Sequence, residues 1–424
     1  MKTAVIVSIH LLPWGLFAIF LLGAELTSGT HAGIHSARQN STATSESAAD
    51  RRRDEIKALE KILPRAADRG AVLFLLAHHY GRLGDQGKAL ELLKQCAVLE
   101  EGFDPETDEA FAALHADPEF RSLIEHVRTQ NPPVRQARVA FTIAQTDLFP
   151  EGLAVDAGKH VFYMGSEYHN KIVRISETGA VTDFVKEGRY DLMPVGGVHV
   201  DASDHSIWCA TDPGKKNRSE IVHFDARGNL LERYAPSIAG PYDLNDLVLR
   251  GKREIYVTDT EGSRVFRFDR ESHGFSKLNL GRPLFEPNGI TVSDDGSVLY
   301  VGDDLGVIRV DLRTHEANEV SPAEHDTMAG ADGLYWYDKG LVAVEYGTGT
   351  FRLMRWKLSA DGSKVTSSEV LERGTEMVRD PTTGSIWDGK FYFMANTGIE
   401  NLNDGKIVDR TKLEPLRIAV LLLR

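Results

Sequence analysis

The 424-residue sequence predicts an all-β six-bladed β-propeller over residues 138–424, preceded by a small α-helical domain. Three observations carry that expectation. A short motif, a polar or small residue followed by glycine or aspartate and then alternating apolar residues, recurs six times from Glu151 onward. Successive copies lie 45, 49, 43, 44 and 51 residues apart. Each unit also holds several short β-type runs separated by Gly, Asp and Asn turns, and a repeat of about 40–50 residues with roughly four strands is a propeller blade.

At the N-terminus, Lys2 precedes an apolar run from Leu11 to Ala24 that Pro13 interrupts, and Thr30-His31-Ala32 offers a small-residue cleavage site. Residues 1–32 therefore read as a signal peptide or a retained membrane anchor. Either form exports the body of the chain to a periplasmic or extracellular space, with membrane contact only if the segment is retained. Residues 33–50 form a polar linker rich in Ser, Thr and Ala, with a formal sequon at Asn40. The two cysteines, Cys96 and Cys209, fall in different regions and read as buried apolar residues; no Cys/His spacing indicates zinc. A net charge of −13 argues against a nucleic-acid partner and is compatible with a cation site.

Residues 51–131 read as helices. Leu73-Phe74-Leu75-Leu76-Ala77-His78-His79-Tyr80 has a 3–4 apolar period, Leu83-Gly84-Asp85 turns, and Ala89-Leu90-Glu91-Leu92-Leu93 resumes it. The pattern resembles a tetratricopeptide repeat, with Leu76, Ala77, Tyr80 and Ala89 in register and Cys96 where that repeat prefers alanine. A further helical stretch spans Thr107 to Val127, and Asn131-Pro132-Pro133 ends it. Such a domain either packs on its neighbour or presents a groove to a protein or peptide partner.

The six openings of the propeller are Glu151, Gly196, Asn245, Asn288, Asp332 and Thr383. Because the first strand of every blade lines the central channel, they form a ring about one axis. Two carboxylates and two amides among them, with no Lys or Arg, make a hard oxygen donor set. Buried carboxylates facing one another are costly unless a cation joins them. A divalent metal at Glu151, Asn245, Asn288 and Asp332 is therefore expected, and the mixed carboxylate and amide donors suit Ca2+ best. The third strands end in a repeated signature, His223-Phe224-Asp225, Arg267-Phe268-Asp269 and Arg309-Val310-Asp311. The acids ending second strands, Asp212, Asp259, Asp303 and Glu345, read as turn or inter-blade hydrogen-bond partners. The C-terminal run Leu416–Leu421 is positioned to pair with Arg138–Thr142 and close the ring.

The segments Pro150-Glu151-Gly152, Leu244-Asn245-Asp246, Pro287-Asn288-Gly289 and Ala331-Asp332-Gly333 resemble, in type, order and blade number, the metal-binding positions of the SMP-30/gluconolactonase superfamily, whose wider relatives include paraoxonases and diisopropylfluorophosphatase. The resemblance covers about two thirds of the chain and leaves out the helical part. It implies hydrolysis of a small-molecule lactone or related ester, with Asp332 as general base or nucleophile and Asn245 orienting substrate or water. Two departures stand out. Asp243 occupies the place where gluconolactonases commonly carry an arginine for sugar hydroxyls, and Gly152 stands where paraoxonases carry a carboxylate for a second calcium. His199, the histidine of a first-strand opening, reads as an inter-blade hydrogen-bond partner or a proton shuttle, and Tyr168, His169, Tyr242 and Phe285 read as rim residues. No GxSxG, HExxH, P-loop or EF-hand pattern points to other hydrolase or kinase chemistry. The competing expectations are a non-enzymatic scaffold, metal-stabilised and acting through the helical domain, and a metal-free propeller like the strictosidine synthases, which the Glu/Asn/Asn/Asp set opposes.

Overall fold

Capping residues in the sequence set the limits of the helical segment. A computed structural model describes residues 45–214, 218–238 and 241–423; the signal or anchor over 1–32 and the linker as far as residue 44 lie outside the described residues. Helix α1 runs Ser45–Ile62, α2 Arg69–Arg82, α3 Gln86–Ala97 and α4 Pro118–Gln130. The linker expected to reach Asp50 gives way to helix at Ser45, because its last residues include the good helix formers Ala48 and Ala49. Asp68, Asp85 and Asp117 each cap a following helix by accepting a backbone N–H, and Pro118 takes the first helical position of α4. Gly84, at φ 83°, makes the turn between α2 and α3. Among the described residues no helix is long and apolar enough to cross a membrane.

From Arg138 onward six four-stranded antiparallel sheets follow one another. Blade one comprises Leu153–Asp156, Val161–Ser166, Lys171–Ser176 and Val181–Val185, innermost first. The inner strands of blades two to five are Val195–Asp201, Leu244–Arg250, Ile290–Val292 and Ala331–Tyr337. Blade six is built from Gly384–Trp387, Lys390–Met394, the C-terminal strand Leu416–Leu422 and, outermost, the strand Arg138–Ile143. Arg138 pairs with Val420 and Ile143 with Leu416, so the two ends of the propeller close it as the sequence led us to expect, and sheet edges are covered. The Asp ending a third strand is a turn former: Asp225, Asp269 and Asp311 each accept two backbone N–H groups from the next few residues.

Six apolar clusters fill the spaces between neighbouring blades. Tyr163 and Ile172 of blade one meet Val198 and Ile207 of blade two; at the closure Met394 and Ile418 of blade six meet Phe162 and Val173 of blade one. No blade buries its faces alone, so ring closure and core formation are one event. The helical segment has its own cluster around Leu73, Leu76, Phe111 and Phe120, which Leu305 and Ala329 of the propeller join.

Candidate metal centre and tunnel mouth

The four predicted donors all sit at the openings of inner strands and are buried: Glu151 is 5%, Asn245 3%, Asn288 1% and Asp332 2% exposed. Three are delivered by one backbone device. The residue two places before the donor has positive φ in each case: Phe149 at 46°, Glu286 at 45° and Gly330 at 65°. Phe149 and Glu286 adopt this conformation despite carrying Cβ atoms and preceding proline, a strain characteristic of functional sites. Register shifts in blades two, three and five fall at Val195/Val198, Leu244/Leu247 and Ala331/Gly333, where a bulge re-aims a side chain.

Close approach of inner strands explains the recurring glycine. A Cβ on Gly152 would lie 2.7 Å from Val198 N, one on Gly197 2.7 Å from Asp246 Oδ1, and one on Gly289 2.6 Å from Asp332 O. The ring also closes between blades six and one, where Thr383 Oγ1 donates to Glu151 O at 2.6 Å and accepts Leu153 N at 3.2 Å. Thr383 is thus committed to backbone. Gly196 is less crowded: a Cβ there would sit 3.2 Å from Asn245 O, 3.6 Å from Asp212 Oδ1 and 3.7 Å from Glu151 Oε2.

A second ring lies at the mouth, formed in blades one to five by the residue that follows the second strand: Glu167, Asp212, Thr260, Asp304 and Tyr346. Their N–H groups donate to Phe149 O, Pro194 O, Asp243 O, Phe285 O and Gly330 O at 2.9–3.2 Å. Sequence reasoning passed over Glu167 and grouped Asp212 with Asp259, Asp303 and Glu345, one residue out of register. Thr211, Asp259 and Glu345 are the equivalent positions, each paired with the residue before a ring position in blades two, three and five. Asp259 binds Arg264 at 2.6 Å, Asp303 accepts Phe285 N and Leu305 N, and Glu345 binds Arg352 at 2.6 Å. Neighbouring residues of a strand face opposite sides, so Asp212 points the other way. Its carboxylate, with those of Glu151 and Glu167, forms a buried triple whose nearest oxygens lie within 4.8 Å of one another. The signal that could have found it is the dyad parity of Ser166-Glu167 and Thr211-Asp212.

Three buried carboxylates this close repel strongly unless a cation or protons intervene. Asp332 is not a member of that triple. It lies on the blade-five side, where its charge acts on Asp246, Tyr335 and Tyr346. Burial pushes the Asp246 carboxyl up to about 7, against an opposing bond from Leu247 N, and the Asp332 charge adds to the rise. Tyr335 Oη accepts Gly384 N at 2.6 Å, and Tyr346 Oη donates to Asp304 Oδ1 at 2.8 Å. The fit of the ring to a hard cation rests on Asn288: both atoms of its buried amide lack a hydrogen-bond partner among the described residues. The atoms these side chains can offer a cation are all oxygens, from two carboxylates and two amide carbonyls, which suits calcium or magnesium and not a thiophilic metal.

His199 lies three residues beyond Gly196, opposite Trp208, and burial lowers its pKa to about 4, so it is neutral at physiological pH. Of the rim residues, His169 bridges Asp147 at 3.1 Å and Glu187 at 3.0 Å, Tyr168 packs on Phe149, Tyr242 joins the cluster between blades two and three, and Phe285 packs against the helical core.

No family model and no curated protein matches the chain. Among solved structures it is similar to the PQQ-bound aldose sugar dehydrogenase of Streptomyces coelicolor, at 14% identity and a TM-score of 0.49 over 69% of this chain and 99% of that one. It is similar to a gluconolactonase from Xanthomonas campestris, at 16% identity and a TM-score of 0.49 over 69% and 98%. A virginiamycin B lyase from Staphylococcus aureus gives 16% identity and a TM-score of 0.45 over 61% and 82%. These are likenesses of overall shape, and the chemistry of the tunnel is argued from this chain's own side chains.

Proposed function

We propose that this protein is an exported, calcium-dependent hydrolase of a lactone or related ester, with its active centre in the propeller tunnel. The observation that carries the proposal is the Asn288 amide, 1% exposed and unbonded at both atoms among the described residues, in a ring that also buries Glu151, Asn245 and Asp332. An unsatisfied buried polar group costs about 1–3 kcal/mol, and a cation ligated by the amide oxygen would offset that cost. Glu151, Asn245, Asn288 and Asp332 would hold the ion, and Glu167 and Asp212 would add negative charge from the mouth side.

When bound, such an ion supplies electrophilic polarisation of a carbonyl oxygen and stabilises the charge that develops there. The remaining roles belong to the chain. The Asp332 carboxylate would take a proton from water or attack the acyl carbon. The Asn245 amide can orient the acyl group or the water. Asp243, in place of a sugar-gripping arginine, argues for an acyl substrate other than a sugar lactone. Export rests on Lys2 and the apolar run Leu11–Ala24, and it places the site where calcium is plentiful.

The test combines metal analysis of purified protein with a panel of lactones and aryl esters, with and without EDTA. One calcium per chain, loss of turnover on chelation, and its return on adding calcium are expected. Asp332→Asn should lower turnover at least about 10²-fold with metal retained. Protein free of metal and inert across the panel would remove the proposal; full activity in Asp332→Asn would remove that residue from the chemistry.

A further inference from the structure

Two loops of blade five flank Asp332. Residues 327–330 lead into it, and residues 346–349 follow the second strand. The loops lie back to back: Tyr346 N donates to Gly330 O at 3.0 Å, and a Cβ on Gly330 would lie 2.5 Å from Gly347 N. Between them the chain turns through Gly330 at φ 65° and a register shift at Ala331/Gly333. A backbone of that shape holds its aim only with support from outside.

The helical segment supplies support to both loops. Asp68, the cap of α2, gives one carboxylate oxygen to Ala71 N at 2.9 Å. Its other oxygen accepts Thr327 Oγ1 at 2.6 Å and Met328 N at 3.1 Å. Asp68 is 5% and Thr327 0% exposed, so these bonds are shielded from water. On the second loop Asp104 N donates to Thr348 O at 2.7 Å and Thr107 Oγ1 to Gly349 O at 3.1 Å. Apolar contact follows the same line, since Ala329 and Leu305 belong to the helical core and Phe285 packs on it. Ala329 lies three positions before Asp332, and Phe285 three before Asn288. The helical domain thus spends apolar surface on the loops of blades four and five, surface that a peptide-binding groove would otherwise offer.

We propose that the helical segment is a positioning element of the tunnel centre, in which Asp68 and Thr327 form a clamp that fixes the backbone from 327 to 332 and so the aim of Asp332. The inference rests on the metal-centre reading above for its functional consequence, but not for the clamp itself. A charge-assisted, buried hydrogen bond is the strong kind, and a carboxylate that bridges a helix N-terminus and a loop transmits position between them.

Thr327→Val removes the hydroxyl at nearly constant volume, and Thr327→Ser retains it. In the full chain, Thr327→Val is expected to weaken calcium binding, measured by calorimetry, and lower kcat, each by roughly tenfold or more, the loss a charge-assisted bond converts to. KM should stay within about twofold, and Thr327→Ser should restore both quantities. Hydrogen exchange over residues 327–335 should quicken in Thr327→Val, with the blade-one opening unchanged. Asp68→Asn, which cannot accept on both atoms, should reproduce the pattern if Thr327→Val folds poorly. Folded variants with wild-type calcium affinity, kcat and exchange at 327–335 would overturn the clamp. Should the wild-type chain bind no calcium and hydrolyse nothing, the functional proposal fails, and the exchange measurement still decides the clamp.

Discussion

Adding a single methyl at Gly289 tests whether the close approach of inner strands sets the metal centre. The Cβ of Gly289→Ala would lie 2.6 Å from Asp332 O, 2.8 Å from Leu334 N and 2.9 Å from Ala331 O, all backbone atoms of blade five. Ordinary contact begins at 3.4 Å, so that strand must retreat by about 0.8 Å, although Gly289 N is bonded to Ala331 O at 3.0 Å and Gly302 N to Gly289 O at 2.8 Å. Overpacking of this kind costs about 1–3 kcal/mol, a drop in Tm of roughly 2–8 °C for a domain this size. A shift of nearly 1 Å also carries Asp332 outside the roughly 0.3 Å window of calcium–oxygen distances. Calcium at about 100 times its Kd adds about 2.7 kcal/mol of stability, and a tenfold loss of affinity removes about half of that. The assay is thermal unfolding in EDTA and in calcium, for wild type, Gly289→Ala and Gly87→Ala. Gly87 lies in α3 with its nearest neighbour at 3.9 Å, so its variant should be neutral or slightly stabilised. A lower Tm in EDTA together with a smaller calcium increment is expected for Gly289→Ala alone. A Gly289→Ala protein with an undiminished calcium increment and full turnover would refute the coupling between strand spacing and the site.

Asp212→Asn removes one of the three carboxylates gathered at Glu151, Glu167 and Asp212, so the gain in Tm on adding calcium should shrink. An undiminished gain would show that the triple adds nothing to the hold on the ion. At the interface of helices and propeller, burial raises Asp68 to about 6 and Glu101 and Glu345 to about 8, all above their unfolded values of about 4. These groups keep protons in the fold that the unfolded chain releases, so stability is highest below pH 4 to 5 as far as they contribute, and falls as pH rises toward 8. Glu101→Gln should flatten the slope of Tm against pH; a slope equal to wild type would show that Glu101 does not hold the extra proton. Truncation at Leu416 removes the third strand of blade six and leaves Arg138–Ile143 unpaired. The shortened chain should be insoluble, and a soluble, monomeric product with native circular dichroism would contradict the closure argument.

The positions of the inner ring were legible because two demands coincide at several openings. A polar side chain faces the axis, and the next residue must lack a side chain where strands converge, so Glu151-Gly152 and Asn288-Gly289 stand out in the chain, whereas Asn245 is followed by Asp246. The number of blades followed from the spacing of those pairs. The mouth ring was missed although its parity is written in Ser166-Glu167 and Thr211-Asp212, because the exact end of each second strand, which decides the parity, is not marked by the alternation of apolar residues. One slip of register exchanges Asp212, which faces the tunnel, with the position of Asp259, which binds Arg264. The use of Thr383 was hidden for a different reason. Its hydroxyl bonds a carbonyl 232 residues away in sequence, a contact that exists only once blade six has met blade one. The path of the helical segment over blades four and five was equally hidden, since Asp68 reads locally as a helix cap and nothing more.

These observations assign the tunnel and the helices to one device. Convergence of six strands admits few side chains to the axis, and glycine at Gly196 together with the backbone-bonded Thr383 leaves four donors there. Two of the four are delivered by loops that the helical core touches, Asn288 through Phe285 and Asp332 through Thr327, Ala329 and Gly349. The acids Glu167 and Asp212 lie on the first two blades, away from those loops, while Asp304 of the same ring lies beside them, bonded to Tyr346 Oη at 2.8 Å. A helical domain acting as an independent scaffold would leave its apolar surface outward and the strained turn before Asp332 unsupported. The buried Asp68–Thr327 bond favours a helical domain that serves the tunnel.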